Sequence, residues 1–278
     1  MRTPVPSGSC IGPDTNLIVG LSVRCWDRYT GPDVTLSPHP VLHPIFETLG
    51  YALAYVMFRR NCARSGNMIE EDQRWLIIAT AAIGALVGSR MLGLMEQVFR
   101  LHITWETFLL PGGRTTVGGL LGGWIALGLI KRLRDLRGRA GDLFAVPLCL
   151  GIAIGRVGCF LAGPADGTYG AATSLPWGVN FGDGILRHPT QLYEILFLSA
   201  LGFVLHRYSE KPHPEGAAFR IFLVAYLAWR LLIDFLKPQP LIYGLNLIQW
   251  ACVAGIVAFL PDLMRLCFIE PTAIRSTE

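Results

Sequence analysis

Arg156 lies in the middle of an apolar run, and that placement is the strongest chemical signal in the chain. The run, Gly151–Gly170, reads GIAIGRVGCFLAGPADGTYG. A charge at membrane depth costs about 2.5–3.5 kcal/mol on insertion scales, so it persists where it has a partner or a task. Glycines 151, 155, 158 and 163 leave one side of a helix bare, where another backbone or a lipid headgroup can come close. Two further stretches carry polar groups into apolar surroundings: His188-Pro189-Thr190-Gln191-Leu192-Tyr193-Glu194 and Arg230-Leu231-Leu232-Ile233-Asp234. Arg230 and Asp234 are four apart, share a helical face and can form a structural ion pair. Arginine is also the side chain suited to bidentate contact with a phosphate. Two arginines, a histidine and carboxylates at one depth make a pocket for an anion, and an anionic lipid headgroup is the ligand available there. The plain alternatives are glycine packing between helices and structural pairing of each arginine with a carboxylate.

Holding these groups at one depth falls to the apolar segments around them. The chain has 278 residues, 52% hydrophobic and 16% charged, with mean hydropathy +0.44. A hydrocarbon core of about 30 Å is crossed by about 20 helical residues. Seven runs approach that length: about 43–58, 75–98, 115–130, 141–161, 190–206, 217–236 and 245–268. The expected fold class is all-α: a polytopic integral membrane protein with seven transmembrane helices in one bundle. An extramembrane arm is expected over 1–42, the bundle over 43–268 and a tail over 269–278.

Lysine and arginine placement orients the bundle. Of 24 basic residues, 14 fall on one side: in 59–74, in 131–139, between the fifth and sixth runs, and in the tail. Four, Arg100, Arg114, Arg187 and Lys237, fall on the other. The positive-inside rule makes the first side cytoplasmic. Seven crossings then put the N-terminus outside, the C-terminus inside, and Arg156, His188 and Arg230 towards the outer surface. The net charge of +4 is accounted for as a topology signal, and no nucleic-acid partner is expected.

The remaining segments constrain less. Met1–Pro40 lacks the layout of a secretory signal, and Leu17–Val23 is too brief to span. Cys10 and Cys25 share this arm, which leaves a disulfide open. The seven cysteines show no C-x-x-C spacing, and the chain has no P-loop, no GxGxxG after a strand and no H-E-x-x-H. No metal and no cofactor is expected. Pro111–Gly123 is rich in glycine and could dip into the bilayer, where Arg114 would either hold a phosphate or face water. Trp177 suits the interfacial belt, Thr190 suits the N-cap of the fifth helix, and His188 precedes a proline and sits in extended chain.

Four places in the chain resemble the bacterial prolipoprotein diacylglyceryl transferases. Gly155-Arg156-Val157-Gly158-Cys159-Phe160, with Gly163 and Gly167, is similar to that family's G-R-x-G-N-F-x-N-G-E-x-x-G. His188–Glu194 resembles its H-P-S-Q-L-Y-E, Arg230–Phe235 its R-x-x-x-E-F, and Gly244–Gln249 its G-L-S-x-G-Q. Four positions depart: Cys159 and Ala162 stand where the family has Asn, Pro164 where it has Glu, and Val117 where it has the His of an H-G-G element. Asp234 stands in place of Glu.

The resemblance implies an inner-membrane enzyme that moves the diacylglyceryl group of phosphatidylglycerol onto a lipobox cysteine of a preprotein. A thioether forms and glycerol 1-phosphate leaves. Such a step needs a thiolate and positive charge on the departing phosphate. Arg156 and Arg230 fit the second need, and His188 is the remaining candidate base in the absence of a histidine at 117. Gln191 and Tyr193 would fix a headgroup oxygen, and Gly155, Gly158, Gly167, Glu194 and Asp234 complete the expected substrate site. A lipid-binding or lipid-moving protein that keeps the headgroup pocket without the chemistry is the second reading. A small-molecule transporter is the third, although no inverted repeat is visible and the polar residues cluster near one surface.

Overall fold

A chain in hydrocarbon has no water to satisfy its backbone, so apolar runs of this length close their hydrogen bonds internally as helices. The computed structural model describes residues 21–23, 34–36, 39, 41–64, 71–100, 113–134, 141–238 and 242–268. Within them, each expected run is an α-helix: α1 Leu42–Arg64, α2 Glu71–Arg100, α3 Thr116–Leu133, α4 Asp142–Ala162, α5 Thr190–Ser209, α6 Ala217–Ile233 and α7 Leu247–Phe268. Short 3-10 turns extend α4 over Gly163–Asp166 and α6 over Asp234–Leu236. Three of the helices contain stretches long and apolar enough to cross a membrane: Gln73–Val98, Thr116–Leu133 and Asp142–Ala162. The Cys10 and Cys25 pair, Pro111 and Gly112, and the tail lie outside the described residues.

The core lies among α3 to α7. Leu198, Leu205, Phe222, Leu223, Tyr226, Leu227, Cys252 and Phe259 are almost wholly buried there. Large apolar side chains also cover the outer faces, Leu86 at 66% exposed, Leu196 at 70% and Ile125 at 60%. Apolar surface this extensive is stable against lipid, not against water. Small residues set the closest crossings. A Cβ on Gly50 of α1 would stand 2.7 Å from the Gly151 carbonyl oxygen of α4, and Gly84 and Gly88 of α2 meet Gly118 and Gly122 of α3 in the same way.

Two features depart from the sequence reading. Four short strands are added to the helical body: β1 Leu21–Val23, β2 Val34–Leu36, β3 Val179–Asn180 and β4 Leu186–Arg187 form one sheet in that order. Val34 pairs in parallel with Val179, which ties the arm to the loop before α5. Thr190 is the first residue of α5, not its N-cap; Pro189 holds that position. The Thr190 hydroxyl donates to the Thr168 carbonyl at 2.9 Å and so fastens the helix start to the loop after α4.

Candidate active site

Three helices bring charge into the core at one level. Arg156 comes from α4, Glu194 from α5, and Arg230 from α6, with Asp234 and Lys237 in and just after the 3-10 extension. All five are buried. Glu194 is the hub. Its Oε2 stands 3.0 Å from Arg156 Nε and 3.4 Å from Arg230 Nη1, and its Oε1 accepts from the Tyr226 hydroxyl at 2.7 Å. Arg230 Nη2 reaches Asp234 Oδ1 at 3.0 Å, and Lys237 Nζ reaches the same oxygen at 3.1 Å. Tyr226, Arg230 and Asp234 are spaced by four, so one face of α6 presents all three.

The network contains three cations and two carboxylates, leaving one positive charge in excess among these five buried groups. Removing charges from water is costly, and pairing within the protein offsets that cost only where the partners balance. An excess of one cation among buried groups favours the approach of an anion. Arg156 also donates to Thr116 Oγ1 at 3.1 Å and to Cys159 Sγ at 3.7 Å. Thr116 opens α3, whose start is capped by the Thr115 hydroxyl accepting from the Gly118 N–H at 3.2 Å. Val117, next in line, is 1% exposed and packs in the core, so no titratable group occupies that place.

A second layer is linked to the first through the α5 start. Gln191, 1% exposed, donates to Thr168 Oγ1 at 3.3 Å. Thr168 in turn donates to Asp166 Oδ2 at 2.5 Å. His188 stands apart from this path. Its Nδ1 is 3.4 Å from the Tyr193 hydroxyl, which accepts from Trp177 Nε1 at 2.8 Å. Arg187 is engaged by Asp183, Nη2 to Oδ2 at 2.6 Å, and covers the Tyr169 ring. That hydrogen bond holds the exposed Asp183 carboxyl below its ordinary range.

The structure therefore joins Arg156, Glu194, Arg230 and Asp234 into one cluster, sets Gln191 beside it, and places His188 and Tyr193 in a separate pair. The expected glycines divide by role. Around Gly155 a Cβ would meet nothing within 4 Å, which leaves that face of α4 open. At Gly158 a Cβ would stand 2.8 Å from Phe46 Cβ and 3.1 Å from the His43 carbonyl oxygen, so its bareness admits the start of α1. Gly167 has φ 68° and ends the 3-10 turn in a conformation that glycine adopts without strain. Tyr226, Thr116 and Lys237 are not marked by the sequence reading. The spacing of Tyr226 from Arg230 and of Lys237 from Asp234 is a signal that could have found them, whereas Thr116 sits 40 residues from its partner.

Comparison with known proteins places the sequence beside a family of membrane transferases. Residues 42–264 match the family described as prolipoprotein diacylglyceryl transferase. The phosphatidylglycerol–prolipoprotein diacylglyceryl transferase of Geobacter sulfurreducens is 31% identical over 209 residues, covering 71% of this chain and 77% of that protein. The protein of the same name from Bordetella parapertussis is 32% identical over 225 residues, 76% of this chain and 84% of that protein. That from Methylobacillus flagellatus is 33% identical over 189 residues, 64% and 71%. The chain belongs to the prolipoprotein diacylglyceryl transferase family.

Proposed function

We propose that this chain transfers the diacylglyceryl group of phosphatidylglycerol to the thiol of a lipobox cysteine in a preprotein. The thiolate attacks the glyceryl carbon that bears the phosphate. The C–S bond forms, the C–O bond breaks, and glycerol 1-phosphate leaves with the electron pair on its oxygen. The observation that carries this reading is the excess cation among Arg156, Arg230, Lys237, Glu194 and Asp234. A phosphate diester is the anion that a membrane presents at that depth, and charge already in place stabilises the leaving group without reorganisation. Incubation of the full chain with phosphatidylglycerol vesicles and a lipobox peptide is expected to release glycerol 1-phosphate and add one diacylglyceryl mass to the peptide. Absence of both products rejects the reading. Lipid binding without product would favour the lipid-binding alternative, for which Val117 speaks, since no base stands there.

The proposed frame is a seven-span bundle over 43–268 in the inner membrane, with arm 1–42 and the N-terminus in the periplasm and the C-terminus in the cytoplasm. Basic residues in 59–74 and 131–139 support that orientation. In intact cells expressing the chain with its seven native cysteines replaced, a single cysteine introduced at Ser174 is expected to react with an impermeant maleimide, and one at Arg137 only after lysis. Labelling of position 137 from outside would invert the orientation.

His188 is the proposed base. The His188→Gln variant keeps hydrogen-bonding capacity but has no titrating nitrogen. Transfer is expected to fall by about 10²-fold or more, within the range of general-base contributions, while phosphatidylglycerol binding is retained. Equal turnover by this variant would remove His188 from the mechanism and leave the transferase reading in place.

A further inference from the structure

Three side chains distant in sequence meet beside Arg156. His43 lies in the first turn of α1, Cys159 in the last turn of α4 and Asp166 at the end of the 3-10 turn. One ligand atom from each lies within 4.8 Å of the other two. We propose that His43, Cys159 and Asp166 form a zinc site with an open fourth position. The placing of the acceptor thiol at that position rests on the transferase reading.

The donor set selects the metal. An imidazole nitrogen, a thiolate and a carboxylate suit Zn²⁺, whereas Mg²⁺ and Ca²⁺ take oxygen ligands. Three protein ligands with a free position are the arrangement of reactive, not closed, zinc sites. His43 Nδ1 is 3.4 Å from Asp166 Oδ1. Two ligands of a tetrahedral zinc ion, each about 2.0–2.3 Å from it, stand about 3.3–3.6 Å apart.

The outer oxygen of Asp166 is hydrogen-bonded and the outer nitrogen of His43 faces a carboxylate, as outer groups of a metal site do. Glu47 Oε2 is 3.8 Å from His43 Nε2, which leaves Nδ1 turned inward. That Nδ1 is buried and has no hydrogen-bond partner. Asp166 Oδ2 accepts from Thr168, which is held by Gln191, and leaves Oδ1 for the centre. Cys159 Sγ accepts from Arg156 Nη1. The bare face at Gly158 is what lets the His43 backbone come this close to α4. Cys159 stands where the family motif has Asn, so the thiolate ligand is this chain's own.

The site lies just below the surface: the His43 side chain is 33% exposed while its Nδ1 is buried. Its fourth position fits the sulfur of the lipobox cysteine. A thiol bound to zinc is deprotonated, and its proton is released to water as the sulfur binds. The sulfur then sits next to Arg156 and attacks the glyceryl carbon as that arginine takes the phosphate charge. The zinc keeps its charge and its three protein ligands and gives up the sulfur as the thioether forms and glycerol 1-phosphate leaves, so the step needs no redox partner.

The test uses the full chain in nanodiscs, stripped with a chelator and titrated with Co²⁺ and then Zn²⁺. One equivalent of Co²⁺ is expected to bind with a thiolate-to-cobalt charge-transfer band and the visible bands of tetrahedral cobalt, and Zn²⁺ is expected to displace it. Cys159→Asn, which installs the family's residue and so preserves the fold, is expected to lose the charge-transfer band. His43→Gln and Asp166→Asn are expected to weaken Co²⁺ binding by at least about tenfold. A monodisperse parent without the band, or the band persisting in Cys159→Asn, overturns the site. Full release of glycerol 1-phosphate by the stripped enzyme with a lipobox peptide overturns the thiol-holding role. A parent that binds Co²⁺ in this way and, loaded with Zn²⁺, makes no product retains the metal site and rejects the transferase reading instead.

Discussion

Arg156→Gln is expected to lower glycerol 1-phosphate release by about 10²-fold or more while the protein remains folded and inserted. Loss of one preorganised donor to a developing anion costs about 10²–10³ in rate, and this arginine is also one of the three buried cations. Its removal leaves Arg230 and Lys237 against Glu194 and Asp234, a balanced set. Glu194 keeps Arg230 Nη1 at 3.4 Å and the Tyr226 hydroxyl at 2.7 Å, so its carboxylate is not stranded. The variant is thus expected to hold its thermal midpoint in detergent within a few degrees and to lose affinity for phosphatidylglycerol by at least about tenfold, the worth of a charge-assisted hydrogen bond. Unchanged turnover would make Arg156 a structural residue and remove the anion site. A collapse in stability would mean that Arg230 and Tyr226 do not suffice to hold Glu194.

The charged residues of the site are legible in the sequence for one physical reason: charges are costly in apolar runs. Arg156, Arg230 and Asp234 stand out on that ground, and Glu194 stands out beside a helix start. The helices are legible from length and hydropathy. They run past the apolar runs at several ends, as α1 does through Arg59, Arg60 and Arg64, because helical hydrogen bonding continues after the hydrocarbon stops. The sheet is not legible, since β3 and β4 are two residues each and carry no alternation. Position alone puts His188 in the same layer as the arginines; its ring is instead joined to Tyr193. The meeting of His43 and Cys159 depends on how α1 crosses α4 at Gly158; the bare glycine face announces a close approach, but nothing local names α1 as the element that makes it. The pairing of Glu194 with both arginines depends likewise on three helices docking, so the ions are visible in the sequence and their partners are not.

Glu194→Gln is expected to act with the opposite sign. Neutralising the hub leaves Arg156, Arg230 and Lys237 against Asp234, an excess of two positive charges among buried groups. Removing one partner of a buried pair costs about 3–5 kcal/mol, because the charge left behind has neither water nor counterion. The amide introduced by this substitution keeps one oxygen to accept either of the hydrogen bonds that Glu194 accepts from Arg230 and Tyr226, but it loses the ion pair with Arg156 and turns an NH₂ group towards donors. The thermal midpoint in a neutral detergent is therefore expected to fall well below that of the parent. An anionic lipid that enters the site supplies the missing negative charge, and a ligand that binds only the folded state stabilises it in proportion to its occupancy. Phosphatidylglycerol is thus expected to raise the midpoint of the variant more than that of the parent, and phosphatidylcholine is not. The double variant Arg156→Gln with Glu194→Gln returns the excess to one cation and is expected to recover much of the stability without recovering transfer, a non-additivity that independent sites do not show. Equal rescue by phosphatidylcholine, or a single variant as stable as the parent, would mean that these charges are not coupled to an anion site.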